Sequence, residues 1–199
     1  MTHPFRPNRS IWLAMLAVVV TLSFYARPTY AFSFNDLLNG EEAKPDPNDT
    51  IEKNPIGKPV PAFALSPLPG RDKGLSNTDL TAGDISVVSI YASWSPPCRF
   101  DIETFKRLSA DGGVPIYGIA YKERTPQEAL NWLSELGDPY TSVGMDTDGM
   151  VGKSFGIYGV PVTFIIDGEG KIAYKQVGPI DAKTLENVIL PKIRELKKG

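Results

Sequence analysis

The chain has 199 residues, 23 acidic against 21 basic side chains, a formal net charge of −2 and 42% hydrophobic residues. That is enough for about one ordinary globular domain with length to spare, and no basic patch suggests a nucleic-acid partner. A single Cys (Cys98) and a single His (His3) exclude an internal disulfide, a Cys- or His-based metal site and a Ser-His-Asp triad. No metal or other cofactor is therefore expected, and any general acid or base must be Asp, Glu, Lys or Tyr.

Residues 1–10 form a basic N-region with Arg6 and Arg9, followed by a mostly apolar run from Ile11 to Ala26. This pattern directs a chain to export. Two outcomes are open for residues 11–31: a signal anchor, or a signal peptide cut after Ala31. Tyr30 fits a small-x-small cleavage site poorly, and Trp12 and Tyr25 suit the two membrane interfaces, which favours the anchor. Residues 32–56 are polar and rich in breakers (Gly40, Pro45, Pro47) and read as a tether, with the folded domain expected over 57–199.

Within the domain, Val60–Leu65 is a candidate strand. Ile85–Tyr91, apolar and β-branched, predicts a buried central strand. A helix is expected over Ser95–Leu108, with Ser95 as N-cap and Pro96 at N1, and a second buried strand over Val114–Ala120. Thr125, Pro126 and Glu128 supply an N-cap, an N1 proline and a capping box, and Gly137 stops that helix. A short helix is expected within Asp146–Phe155. Val162–Ile166 and Lys171–Val177 form a hairpin about the turn Asp167–Gly170, and Asp181–Lys198 is an amphipathic helix kinked at Pro191. This order predicts an α/β fold: a central mixed β-sheet flanked by helices.

Trp94-Ser95-Pro96-Pro97-Cys98 lies where the central strand gives way to a helix. A W-C-x-x-C dithiol in that place works because its first Cys becomes a thiolate at the helix N-terminus and its second resolves the mixed disulfide. Here the first position is Ser95, and only the resolving Cys98 remains.

Several segments together resemble thioredoxin-like thiol:disulfide interchange proteins of the DsbE type (also called CcmG or CycY). They are 57–63, Tyr91-Ala92-Ser93-Trp94, Pro97-Cys98-Arg99, 114–119, Tyr121-Lys122, 135–140, Tyr158-Gly159-Val160-Pro161, 164–167 and Val177-Gly178-Pro179. The resemblance runs from about Pro55 to Leu190. It implies a thioredoxin-like fold and a domain tethered through residues 11–26 to the bacterial inner membrane, on its periplasmic side. It also implies that the domain reduces or holds the thiols of apocytochrome c, or of cytochrome c maturation proteins, before haem attachment. A membrane thiol-disulfide carrier would donate the electrons. Val160–Pro161 falls at the family's cis-proline loop, so Trp94, Pro96, Pro97, Val160, Pro161 and Val162 would form the substrate groove around Cys98 and Ser95.

Four positions depart from the family pattern and are expected to gather around the site: Ser95 for the attacking Cys, Glu103 for a usual Pro, Ala120 for a common Asn, and Val162 for a frequent Glu after the cis-proline. A serine hydroxyl cannot replace a thiolate in disulfide exchange. The alternatives are therefore an interchange protein acting through Cys98 alone and a redox-inactive thioredoxin-like module that binds the same partners. Cys98 itself reads either as a reactive lone thiol or as a buried small hydrophobe. Asp79, Asp84 and Asp101 are candidates for a buried acid that tunes it, whereas Asp146, Asp148 and Glu169 read as turn residues.

Overall fold

The structure, a computed structural model, describes residues 54–198. Its elements in order are β1 (Ala64–Pro67), β2 (Leu75–Ser76), α1 (Asn77–Leu80), β3 (Ser86–Tyr91), α2 (Cys98–Gly112), β4 (Ile116–Tyr121), α3 (Pro126–Leu136), β5 (Ser142–Asp146), α4 (Met150–Ser154), β6 (Val162–Ile166), β7 (Ile172–Val177) and α5 (Ala182–Thr184). A π-helical stretch (Leu185–Ile189) and α6 (Leu190–Leu196) close the chain. The expected anchor and nearly all of the tether lie outside the described residues. Among the described residues no helix is long and apolar enough to cross a membrane.

One mixed sheet runs in the order β2-β1-β5-β4-β3-β6-β7. β3, β4 and β5 are parallel, whereas β6 pairs antiparallel with β3 and β7 with β6. All six residues of β3 are buried, as expected of a strand covered on both faces. One face packs Phe105, Trp132 and Ile189 from the helices against Val87 and Tyr91; the other packs Phe63, Leu80 and Phe155 against Val88 and Ile90. Tyr91 stacks between Trp132 and Tyr140, with centroids 5.3 and 5.1 Å away. Gly118 leaves room for that pile, since a Cβ there would sit 3.1 Å from both tyrosine rings.

Five local expectations need correction. The first strand begins at Ala64, because Pro59 and Pro61 interrupt backbone donors upstream. Ser142–Asp146 is a fully buried strand, so Asp146 ends β5 and the short helix starts only at Met150. The α2 helix begins at Cys98 with Pro97 as its cap, so Ser95 is not an N-cap; Ser95–Pro97 instead form a tight turn in which the Ser95 carbonyl accepts the Cys98 N–H at 3.1 Å. Thr125 does cap α3, its Oγ1 accepting the Glu128 N–H at 3.2 Å. Asp181–Lys198 is not a regular α-helix up to Pro191. The helix widens into the π-helical stretch just before it, which accommodates a ring that would crowd the Asn187 carbonyl and a missing N–H. Finally, Glu103 is an exposed α2 residue paired with Lys106, so this departure does not belong to the surface around the motif.

Candidate functional site

The parallel strands β3 and β4 end at the same sheet edge, and the loops beyond them build the site. Such an edge, outside the carboxyl ends of parallel strands, is where open α/β sheets place ligands. After Tyr91 the chain turns through Ala92 and Ser93. Trp94 projects outward, 43% exposed, with its indole N–H donating to the Lys122 carbonyl at 3.0 Å. Lys122 adopts the left-handed region at φ 48°, which turns that carbonyl toward the motif. Pro96 and Pro97 are exposed beside it.

Ser95 is buried, and its hydroxyl donates to the Val160 carbonyl at 3.4 Å. This bond joins the motif to the opposite loop, where the Val160–Pro161 peptide is cis. The structure thus brings Trp94, Ser95, Cys98, Val160 and Pro161 together. Val162 follows the loop into β6, but its side chain packs with Ile90 and Phe164 in the core on the other face of the sheet from Cys98. Ala120 lies beside Tyr91 in the pairing of β3 with β4, buried beneath the motif.

Cys98 is 1% exposed and belongs to the core beneath α2. Burial pushes its thiol upward. Bonds from Ser95 and the Ala92 backbone oppose this, and the carboxylates of Asp101 and Glu123 add to the rise. The first turn of a helix favours a thiolate, but here burial wins, so Cys98 rests as a thiol at neutral pH.

Of the three candidate acids, only Asp101 is buried near the thiol. Asp79 accepts from Ser76 and Lys73 beside α1, and Asp84 is exposed at the start of β3. Asp101 is 2% exposed; one oxygen accepts the Ile180 N–H at 2.7 Å, and the other has no partner among the described residues. Burial raises its carboxyl to about 6, against the bond from Ile180. A raised acid prefers its protonated form in the fold. The associated stability is complete below the ordinary Asp range and is lost as pH rises through about 6. Asp101→Asn keeps an acceptor for Ile180 and removes that loss. Relative to the parent it is expected to gain about 2–3 kcal/mol between pH 4 and pH 8. Urea unfolding at the two pH values checks this, and a constant difference would overturn it.

A second buried acid, Glu123, escaped the sequence reading. Its carboxylate accepts the Ser93 N–H at 2.7 Å and the Ser93 hydroxyl, and burial raises it against these bonds. The signal was present: Glu123 lies two residues past β4, the parallel neighbour of the strand that leads into the motif.

A strand–turn–helix motif facing a cis X–Pro loop across a mixed sheet defines a thioredoxin-like protein. The Redoxin family profile matches residues 55–189. A thiol:disulfide interchange protein DsbE from Allochromatium vinosum is 39% identical over 144 residues, covering 72% of this chain and 78% of that one. DsbE of Escherichia coli K12 is 38% identical over 149 residues, covering 75% and 80%. The interchange protein HelX of Rhodobacter capsulatus is 39% identical over 143 residues, covering 72% and 77%. Among solved structures, a thioredoxin-family thiol:disulfide interchange protein from Chlorobium tepidum superposes with a TM-score of 0.54 at 26% identity, covering 73% of this chain and 98% of its own. The chain belongs to the Redoxin family and, within it, to the DsbE thiol:disulfide interchange proteins.

Proposed function

We propose that the chain serves thiol:disulfide interchange in cytochrome c maturation. It would act from the periplasmic side of the bacterial inner membrane, anchored through residues 11–31 and tethered through 32–56. Its partners would be apocytochrome c or maturation proteins, with a membrane thiol carrier as reductant. The observation that carries this reading is the hydrogen-bonded apposition of the Ser95–Cys98 turn and the Val160–Pro161 loop, with Trp94 at its rim. It supports a surface where an extended partner segment lies across the loop, next to the only sulfur of the redox motif.

With one sulfur the cycle has a defined form. The Cys98 thiolate attacks one sulfur of a partner disulfide. A Cys98–partner bond forms, the partner's own S–S bond breaks, and the second partner sulfur leaves as a thiolate. No neighbouring thiol can resolve the adduct, so a carrier thiol must attack it at the partner's sulfur. That step joins the carrier to the partner by a disulfide and releases Cys98 as a thiolate; a second carrier thiolate then attacks the carrier's sulfur, closing a carrier disulfide and releasing the partner's second thiol. Two carrier thiols together supply the two electrons that reduce the partner.

The burial of Cys98 favours a second reading of the same surface, in which the domain holds a partner without exchange. Mixing the full chain with an oxidised peptide that carries a haem-site C-x-x-C disulfide separates the two readings. The intact mass is read without reductant, and Ser95→Cys is the control. A slow adduct on Cys98 is expected. No adduct on the parent, alongside a working control, would overturn the exchange reading and leave the holding one.

A further inference from the structure

The loop from Gly156 to Pro161 and the end of β7 enclose a groove of about 290 Å³ beside the cis peptide. Its lining is apolar: Tyr158, 70% exposed, Val177, 68% exposed, and Val160 with Pro161. The exception is Lys175 on β7. This side chain is half-buried, and its ammonium donates to the Gly156 carbonyl at 2.8 Å and lies 5.8 Å from the Phe164 ring centroid. Among the described residues two of its three N–H donors have no acceptor, and no carboxylate pairs with it.

A cation partly withdrawn from water without a counter-charge is costly, and its acidity reflects this: burial alone lowers the Lys175 pKa. Such a charge also selects. A partner that brings a carboxylate recovers the lost solvation, whereas one that brings a second cation meets repulsion in a poorly screened groove. Val162, the residue after the loop, supplies no charge to balance it. The carbonyl bond and the Phe164 ring fix the ammonium at the wall and leave its free donors for the occupant.

We infer that Lys175 is a specificity-determining residue of the cis-Pro161 groove, selecting an extended partner segment with an acidic side chain close to the cysteine it presents. This rests on the reading of that groove as the partner-peptide site. It adds a charge requirement to a surface that is otherwise apolar.

The test uses the full chain and fluorescein-labelled nine-residue peptides, amidated at the C-terminus, each with a central S-methylated cysteine. One Asp is moved through the positions on either side, with Asn peptides as isosteric controls, and binding is read by anisotropy. At one position the Asp peptide is expected to bind about tenfold more tightly than its Asn twin, a preference that shrinks with added salt. Lys175→Met should abolish the preference and Lys175→Arg should retain it. Equal binding of Asp and Asn peptides by the parent, or an undiminished preference in Lys175→Met with its circular dichroism unchanged, would overturn the assignment of Lys175. Absence of binding by every peptide would overturn the groove reading itself, and the Lys175 inference with it.

Discussion

Ser95→Cys is expected to turn a chain that depends on an outside thiol into a self-resolving reductase. The new thiol enters at the top of the tight turn, where the residue-95 carbonyl already accepts the Cys98 N–H at 3.1 Å, so the two sulfur-bearing residues sit three apart around one turn. The position faces the Val160 carbonyl at 5% exposure, whereas Cys98 is the more deeply buried at 1%. Attack and resolution thereby separate: the outer sulfur meets the partner, and the buried one closes on it. Turnover of a dithiothreitol-driven insulin precipitation assay is expected to rise by at least about 100-fold over the parent, because an intramolecular thiol acts at a high effective concentration. Ser95→Ala, which also lacks a sulfur, should remain at the parent's level. If Ser95→Cys stayed there too, the site would be blocked by something other than the missing sulfur, and the burial of Cys98 would be the first suspect.

The parts of this molecule that were legible in its sequence are those where local chemistry and tertiary role agree. β3 reads as buried because both faces are covered, and Thr125 and Gly137 bound α3 because caps are local devices. β5 was hidden by Gly144, which looks like a breaker. The glycine is there because a Cβ would come within 2.7 Å of Leu65 Cβ and 2.9 Å of Leu75 Cβ, where the β1–β2 hairpin crosses close to β5. Ser95 misled for a related reason. Its sequence context, before two prolines and a helix, satisfies the N-cap pattern, yet its hydroxyl is committed to a loop 65 residues away. Glu123 and Lys122 likewise act through partners near residue 93, which no local window contains. The site is made of these long-range polar contacts, so the sequence indicated its family and its motif while leaving its supports unassigned.

Among those supports Asp146 joins both walls of the groove, and its removal is the more damaging substitution for the fold. Read from sequence as a turn residue, it is 0% exposed at the end of β5. Its carboxylate accepts the Gly152 N–H at 2.7 Å and the Val151 N–H at 3.2 Å, tying down the start of α4. Its backbone carbonyl accepts the Lys122 N–H at 2.9 Å, and Lys122 in turn holds the Trp94 indole. From α4 the chain runs through Gly156 to the Val160–Pro161 loop, with the Ile157 N–H bonded to the Gly152 carbonyl at 3.2 Å. Asp146→Ala leaves two donors unmet, one of them fully buried, and is expected to cost about 2–4 kcal/mol in urea unfolding. Burial raises the Asp146 carboxyl against its bonds from Gly152 and Val151, so the parent loses stability as pH rises through that raised value. The cost of Asp146→Ala is therefore largest in acid and smaller at pH 8. Nuclear magnetic resonance separates anchoring from mere stability. The Val151 and Gly152 amide signals should shift in Asp146→Ala, while the Trp94 indole N–H, reached only through the backbone carbonyl that alanine keeps, should stay in place with that of Trp132. Unmoved Val151 and Gly152 amide signals in a stable variant would mean that the start of α4 is held without the Asp146 carboxylate.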